Sequence, residues 1–207
     1  PYNNDYQYLK GHRIGARSLY KFFEYYEAGK TEQRYKAKYG TDFPEQLVSL
    51  KDGDCVYVDL DGNGFIDPND MSRDYGWTDD PQYVLGVNAG FSYKSWEFNM
   101  QWTGAFGVSR LINENFRIPF RSRTDYNTGG LLQYIVDNTW DPANPSQDAR
   151  YPRATWTNGT VNNYQDSDLF EENASYLRLK TVMVGYNFKL PFFQTIGLDR
   201  AQLALSG

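Results

Sequence analysis

The strongest constraint in this chain is a stretch of period-two hydrophobicity between Tyr83 and Phe106. Tyr83, Leu85, Val87, Ala89, Phe91 and Tyr93 alternate with Val84, Gly86, Asn88, Gly90 and Ser92. After Lys94-Ser95 the phase resets, and Trp96, Phe98, Met100, Trp102 and Phe106 alternate with Glu97, Asn99, Gln101, Thr103 and Ala105. Side chains of a strand point alternately to its two faces, so two such runs joined by two polar residues predict a β-hairpin. The turn lacks the favoured Asn-Gly pair. The runs are long, since soluble strands usually have about 5–6 residues. Eleven residues at about 3.3 Å each reach roughly 36 Å. Tilted by about 40°, they cover about 28 Å, close to the roughly 25 Å apolar band of a membrane barrel. Aromatic rings stand at both ends, Tyr83 and Phe106 at one and Tyr93 and Trp96 at the other, where an interfacial girdle would sit. Periodicity alone leaves open a second reading, a long hairpin in a soluble sandwich with its apolar row turned to a core.

The rest of the chain is organised around that hairpin. From Tyr176 to Phe188 a third strand is predicted, with Leu177 and Leu179 in one phase and Val182, Val184, Tyr186 and Phe188 in the other. The slip near Lys180-Thr181 predicts a β-bulge or the point where the strand leaves a bilayer. Arg178 and Lys180 then belong in a lumen or above the membrane plane, because a cation facing lipid at mid-depth costs about 2–4 kcal/mol. Leu190 to Arg200 reads as a turn, and Ala201, Leu203 and Leu205 begin a fourth strand. Residues 107–174 read as one long irregular connection rich in turn formers, a length that is usually functional. Residues 52–82, dense in Asp, Gly, Asn and Pro, read as loop, and Tyr35 to Leu50 as mixed loop and turn. Ala16 to Ala28 carries Leu19, Phe22, Phe23 and Tyr26 at helical spacing, yet its Tyr and Phe content suits a strand equally.

Charge and rare residues exclude several classes. With 21 Lys plus Arg against 26 Asp plus Glu, the chain is a poor candidate for clamping a nucleic-acid backbone, which needs a basic face. One Cys (Cys55) permits no internal disulfide, and one His (His12) has nothing near it at triad or zinc spacing. Paired acids such as Glu171-Glu172 and Asp79-Asp80 fall in loop-like sequence, so no catalytic constellation is readable and no enzyme is expected. No run approaches the roughly 18 apolar residues of a spanning helix. Barrel strands average out to polar, so a membrane barrel stays open. Both ends look cut, and the chain reads as part of something longer.

One motif carries metal chemistry. Asp59-Leu60-Asp61-Gly62-Asn63-Gly64-Phe65-Ile66-Asp67-Pro68-Asn69-Asp70 fits a calcium loop, with side-chain oxygens of Asp59, Asp61, Asn63, Asp67 and Asp70 at the ligand positions. Phe65 stands where a backbone carbonyl is used, and Gly64 where the chain turns sharply. Calcium takes about 6–8 hard oxygens, which this spacing can wrap around one ion. Asp70 replaces the usual bidentate Glu, a shorter arm that lowers affinity or admits a water. The flanks, Cys55–Val58 and Met71–Arg73, are not amphipathic helices, so the loop is a structural staple and not a regulatory EF-hand.

The segment Gly53-Asp54-Cys55-Val56-Tyr57-Val58-Asp59-Leu60-Asp61-Gly62-Asn63-Gly64-Phe65-Ile66-Asp67 resembles a signature of SusC/RagA-like TonB-dependent outer-membrane transporters. The hairpin, Trp140-Asp141-Pro142-Ala143-Asn144-Pro145, Tyr151-Pro152-Arg153, the run from Asp168 to Lys180 and Val184-Gly185-Tyr186 then follow in the family's order. The likeness covers roughly residues 52–207, and Trp77 to Pro81 departs where members often carry a Gly-x-Pro approach to the strand. The resemblance implies an all-β chain, part of a roughly 22-stranded antiparallel transmembrane β-barrel with long extracellular loops. Residues 1–82 would be an extracellular loop region, 83–106 a transmembrane hairpin, 107–174 a long extracellular loop and 175–207 further barrel strands, with the plug absent. It further implies a place in the bacterial outer membrane and import of oligosaccharides or peptides. The partners implied are a SusD-like surface lipoprotein, TonB through the missing N-terminal part, and outer-membrane lipid. The rival expectation is a soluble, secreted, calcium-stabilised β module that binds carbohydrate.

Overall fold

The computed structural model describes residues 4–119, 132–155, 162–189, 191–197 and 201–207. In chain order these form β1 (Leu19–Tyr20), β2 (Phe22–Tyr25), α1 (Thr31–Tyr39), β3 (Cys55–Tyr57), β4 (Met71–Ser72), β5 (Tyr83–Tyr93) and β6 (Trp96–Phe106). There follow β7 (Ser109–Leu111), α2 (Glu114–Arg117), α3 (Gln133–Asp137), β8 (Glu171–Asn173), β9 (Tyr176–Phe188), α4 (Pro191–Thr195) and β10 (Ala201–Ser206). The chain divides into two units, one made of the residues up to Thr78 and Arg110–Glu172, the other of Asp79–Ser109 and Asn173–Gly207.

The first unit is built from short elements around buried aromatic rings. Its strand pairs are β1 with β4 and β2 with β3, both antiparallel, with Phe22 opposite Tyr57 and Tyr25 opposite Cys55. One cluster gathers Tyr20, Tyr25, Cys55, Tyr57, Ile66 and Trp140, and a second gathers Ile118, Ile135, Tyr151, Tyr164 and Phe170. The Ala16–Ala28 stretch is therefore extended and not helical, because its rings pair across strands instead of lining one helix face. Two expectations of loop fail here. Residues 31–39 form α1, which ends at Gly40 in a left-handed conformation (φ 74°) whose N–H is bonded to the Lys36 carbonyl. Within 52–82, Cys55–Tyr57 is a fully buried strand, because its side chains are the floor of the first cluster.

Residues 107–174 are likewise not one irregular connection, since much of the second core lies among them. Long-range polar bonds fasten this stretch. Asn163 accepts from the Cys55 amide (2.9 Å) and donates to Asp54 (2.7 Å), while the Tyr57 hydroxyl donates to the Asn162 carbonyl (2.6 Å). The acids Asp166, Asp168 and Glu171 pair with Arg117, Lys21 and Arg17. Buried polar groups are tolerable only when so satisfied.

The second unit is a four-stranded antiparallel sheet in the order β10-β9-β6-β5. β5 and β6 pair along their whole length from Tyr83↔Phe106 to Tyr93↔Trp96, which leaves Lys94-Ser95 as the turn. Lys94 takes a positive φ of 55° there, a conformation that Asn or Gly would adopt with less strain. The phase slip in β9 is a bulge: Gln101 faces Thr181 and Trp102 faces Leu179, which leaves Lys180 as the extra residue. Where a turn was expected between β9 and β10, Pro191–Thr195 forms one helical turn; Leu190 and Arg200, the ends of that expected turn, lie outside the described residues. No helix among the described residues is long and apolar enough to cross a membrane.

Candidate functional site

The register of the sheet sorts its side chains into two rows. Leu85, Val87 and Phe91 of β5 stand opposite Gly104, Trp102 and Phe98 of β6, and those lie beside Leu177, Leu179 and Val184 of β9. Leu203 and Leu205 extend the same face onto β10 through their partners Tyr186 and Val184. The bulge at Lys180 is what makes the face continuous. Without the extra residue, Leu177 and Leu179 would fall on the side opposite Val182 and Val184. Among the described residues no second layer covers Leu85, Phe91 and Leu205, which are 42%, 64% and 75% exposed.

The other face is polar and rich in glycine. It carries Asn88, Asn99, Gln101, Thr103, Thr181 and, opposite Thr103, Arg178, so this arginine stands off the apolar face as expected. Glu97 accepts from Asn187 (2.8 Å) and from Gln202 (2.7 Å), tying three neighbouring strands. Gly185 lies in this network, where a Cβ would come 2.9 Å from the Gln202 amide nitrogen. Sequence reading missed the network, whose members are 90 and 105 residues apart.

The acidic loop belongs to the first unit. Carboxylate oxygens of Asp59, Asp61 and Asp70 lie within 4.8 Å of one another. The Asp59 carboxylate accepts from the amides of Gly62 (2.6 Å) and Gly64 (2.8 Å), Asp61 from Asn63 (3.0 Å), and Asn63 from Phe65 (2.9 Å). This run of side-chain-to-backbone turns is why an Asp/Asn/Gly sequence coils here. Asp70 is fully buried and accepts from Leu60 (2.7 Å) and Asp67 (2.9 Å). Burial pushes its carboxyl up to about 6 against the pull of those amides, and the nearby Asp59 adds to the rise. Asp67 stands outside the trio: its carboxylate caps the short helical turn at Pro68–Asp70 through Asn69 (2.6 Å). Phe65 is half exposed and its side chain plays no part in the loop's hydrogen bonds. Three close carboxylates, one of them buried, are a donor set that suits a hard cation.

Long paired strands with one uncovered apolar face and one polar face are the wall of a transmembrane β-barrel. No protein-family model matches the chain. It is 28% identical to TonB-dependent receptor P3 of Formosa agariphila over 178 residues, covering 84% of this chain and 16% of that protein. It is also 28% identical to TonB-dependent receptor P26 of the same organism over 156 residues, covering 75% of this chain and 14% of the relative. Among solved structures, the RagAB peptide importer in its closed-closed state superposes with a TM-score of 0.56 at 18% identity, over 92% of this chain and 18% of that one. Its open-open state gives 0.55 at 17% identity. The chain thus resembles a stretch of a SusC/RagA-like TonB-dependent transporter, and it spans about a sixth of the length of the curated relatives it matches.

Proposed function

We propose that this stretch is part of the wall and cell-surface structure of a bacterial outer-membrane importer that takes up oligosaccharides or peptides. The observation that carries the reading is the uncovered apolar face kept continuous through the Lys180 bulge. Burying such a face in acyl chains is favourable at roughly 25 cal/mol per Å², whereas water would leave that energy unused. The polar face, with Glu97, Asn99 and Gln101, lines the lumen. The rival soluble module would need a second packed layer over Leu85, Phe91 and Trp102. Alternation of connections supports the same reading. Lys94-Ser95 and the link from β9 to β10 close one end of the sheet, while the long 107–175 connection leaves and returns at the other. Barrels place short turns in the periplasm and long loops at the cell surface.

In this reading a SusD-like surface lipoprotein covers the barrel, TonB acts through segments outside this stretch, and transport is gated elsewhere. No residue here makes or breaks a covalent bond, in keeping with relatives that carry receptor names. The loop of Asp59, Asp61, Asn63, Phe65, Asp67 and Asp70 holds a structural calcium ion that stiffens the cell-surface unit. Calcium would supply the positive charge that these carboxylates lack among themselves. Titration calorimetry with calcium should show binding that Asp59→Ala abolishes.

The membrane reading is tested by site-directed nitroxide labelling of the full-length protein in lipid. A label at Phe91→Cys should be reached by oxygen dissolved in the bilayer and shielded from a water-soluble nickel chelate. A label at Asn88→Cys should show the reverse. Equal access of the chelate to both positions would sink the barrel assignment.

A further inference from the structure

The first unit contains a cleft of about 930 Å³. This lies in the size range of small-ligand sites, about 300–1,000 Å³. Val136, Pro142 and Pro145 give it an aliphatic wall, and charged side chains of both signs stand around it. Half of those charges are already spent within the protein. Lys30 is paired with Glu27 (3.0 Å), and Arg153 forks onto Asp54. Three remain uncommitted among the described residues. Lys51 has no side-chain partner, and Asp52 and Asp141 each accept only a single backbone N–H, from Ala28 and Ala143 (both 2.9 Å). The one aromatic side chain of the lining, Trp140, is only 5% exposed and packs its ring on Gly53, where a Cβ would stand 2.3 Å from it. It offers no open face on which a sugar ring could stack.

We infer that this cleft binds a short peptide with free termini and an aliphatic side chain. The ligand carboxylate meets Lys51, its ammonium meets Asp52 and Asp141, and its side chain lies against Val136 and the two prolines. A neutral glycan can meet these groups only through hydroxyl hydrogen bonds, with no opposite charge to offer, and it finds no stacking platform. The inference rests on the importer reading above and narrows its substrate class.

The test is calorimetric titration of the detergent-solubilised full-length protein with the tripeptide Ala-Leu-Ala, its N-acetylated amide and maltotriose. The free tripeptide should bind, and blocking its termini should weaken binding at least tenfold. Lys51→Glu should weaken it at least tenfold, and Val136→Trp, which fills the cleft, should abolish it. Both positions are exposed, so neither variant should alter folding; should one fail to fold, the blocked tripeptide on the unmodified protein still decides between the two outcomes. Absence of tripeptide binding, indifference to both variants, or maltotriose binding that Val136→Trp removes would overturn the inference. None of these readouts depends on membrane insertion or TonB, so they are distinct from a failure of the importer reading, which the nitroxide labels report.

Discussion

The two units of this chain spend similar side chains in opposite ways. In the first, Tyr25, Tyr57 and Phe170 are all 0% exposed, held in clusters whose polar edges are closed by Asn162, Asn163 and Asp54. In the sheet, Phe91, Trp96 and Leu203 are more than half exposed, and Leu85, Val87 and Leu179 on the same face are exposed by more than two fifths. The first unit is folded for water, with a core that the chain supplies itself. The second presents its apolar residues to a solvent that the chain does not contain. Apolar content therefore does not report a core; what matters is whether a second layer of the same chain meets it.

Truncation of a core ring should give the largest effect. Phe170→Ala should cost the first unit about 3–5 kcal/mol, through lost burial and the cavity left behind. Trypsin digestion of the full-length protein in detergent should then cut within this unit at least a hundredfold faster. An unchanged digestion rate would mean that the cluster around Tyr151, Tyr164 and Phe170 is not a true core.

A cation on the sheet should come next. Val87→Arg, midway along β5 on the apolar face, should lower the stability of the barrel in lipid by about 2–4 kcal/mol. Asn88→Arg, one residue along on the polar face, should change it by less than about 1 kcal/mol. Urea unfolding in lipid vesicles measures both. Equal costs at the two positions would erase the distinction between faces and, with it, the contrast between the units.

This contrast explains which parts were readable in the sequence. The hairpin and the β9 bulge were legible because each is a matter of local phase: a period of two, and a slip at Lys180 that the register reproduces. The turns of the acidic loop were legible for the same reason, since each Asp or Asn bonds an amide two to five residues on. Helix α1 was hidden because TEQRYKAKY carries little apolar pattern and buries only Thr31 and Tyr35. What holds it is distant in sequence: Tyr35 packs against Phe23 and Phe43, and Arg34 pairs with Glu24 (2.8 Å). The order within 107–174 was hidden similarly, because Arg117, Lys21 and Arg17 find their acids 49, 147 and 154 residues away. The cleft was hidden too: Trp140, Asp141, Pro142 and Pro145 stand in one sequence motif, but Lys51 and Val136 come to the same cleft only on folding.

The smallest effect concerns the hairpin turn, where the sheet has no core to absorb strain. Lys94 is the one non-glycine residue with a positive φ among those described, a conformation that costs an ordinary side chain about 1–2 kcal/mol. Its ammonium lies 5.2 Å from the centre of the Tyr93 ring, a contact worth about 0.5–1 kcal/mol at an exposed site. Lys94→Gly relieves the strain and loses the contact, so it should stabilise the barrel by roughly 0.5–1 kcal/mol. Tyr93→Leu, which removes the ring and leaves the backbone alone, should cost about 0.5–1 kcal/mol and fix the size of the second effect. Urea midpoints of the two variants separate the contributions. If Lys94→Gly destabilised the barrel instead, the ammonium would be doing more than resting on Tyr93, and its partner would have to come from outside this chain, with lipid phosphates the group of matching charge.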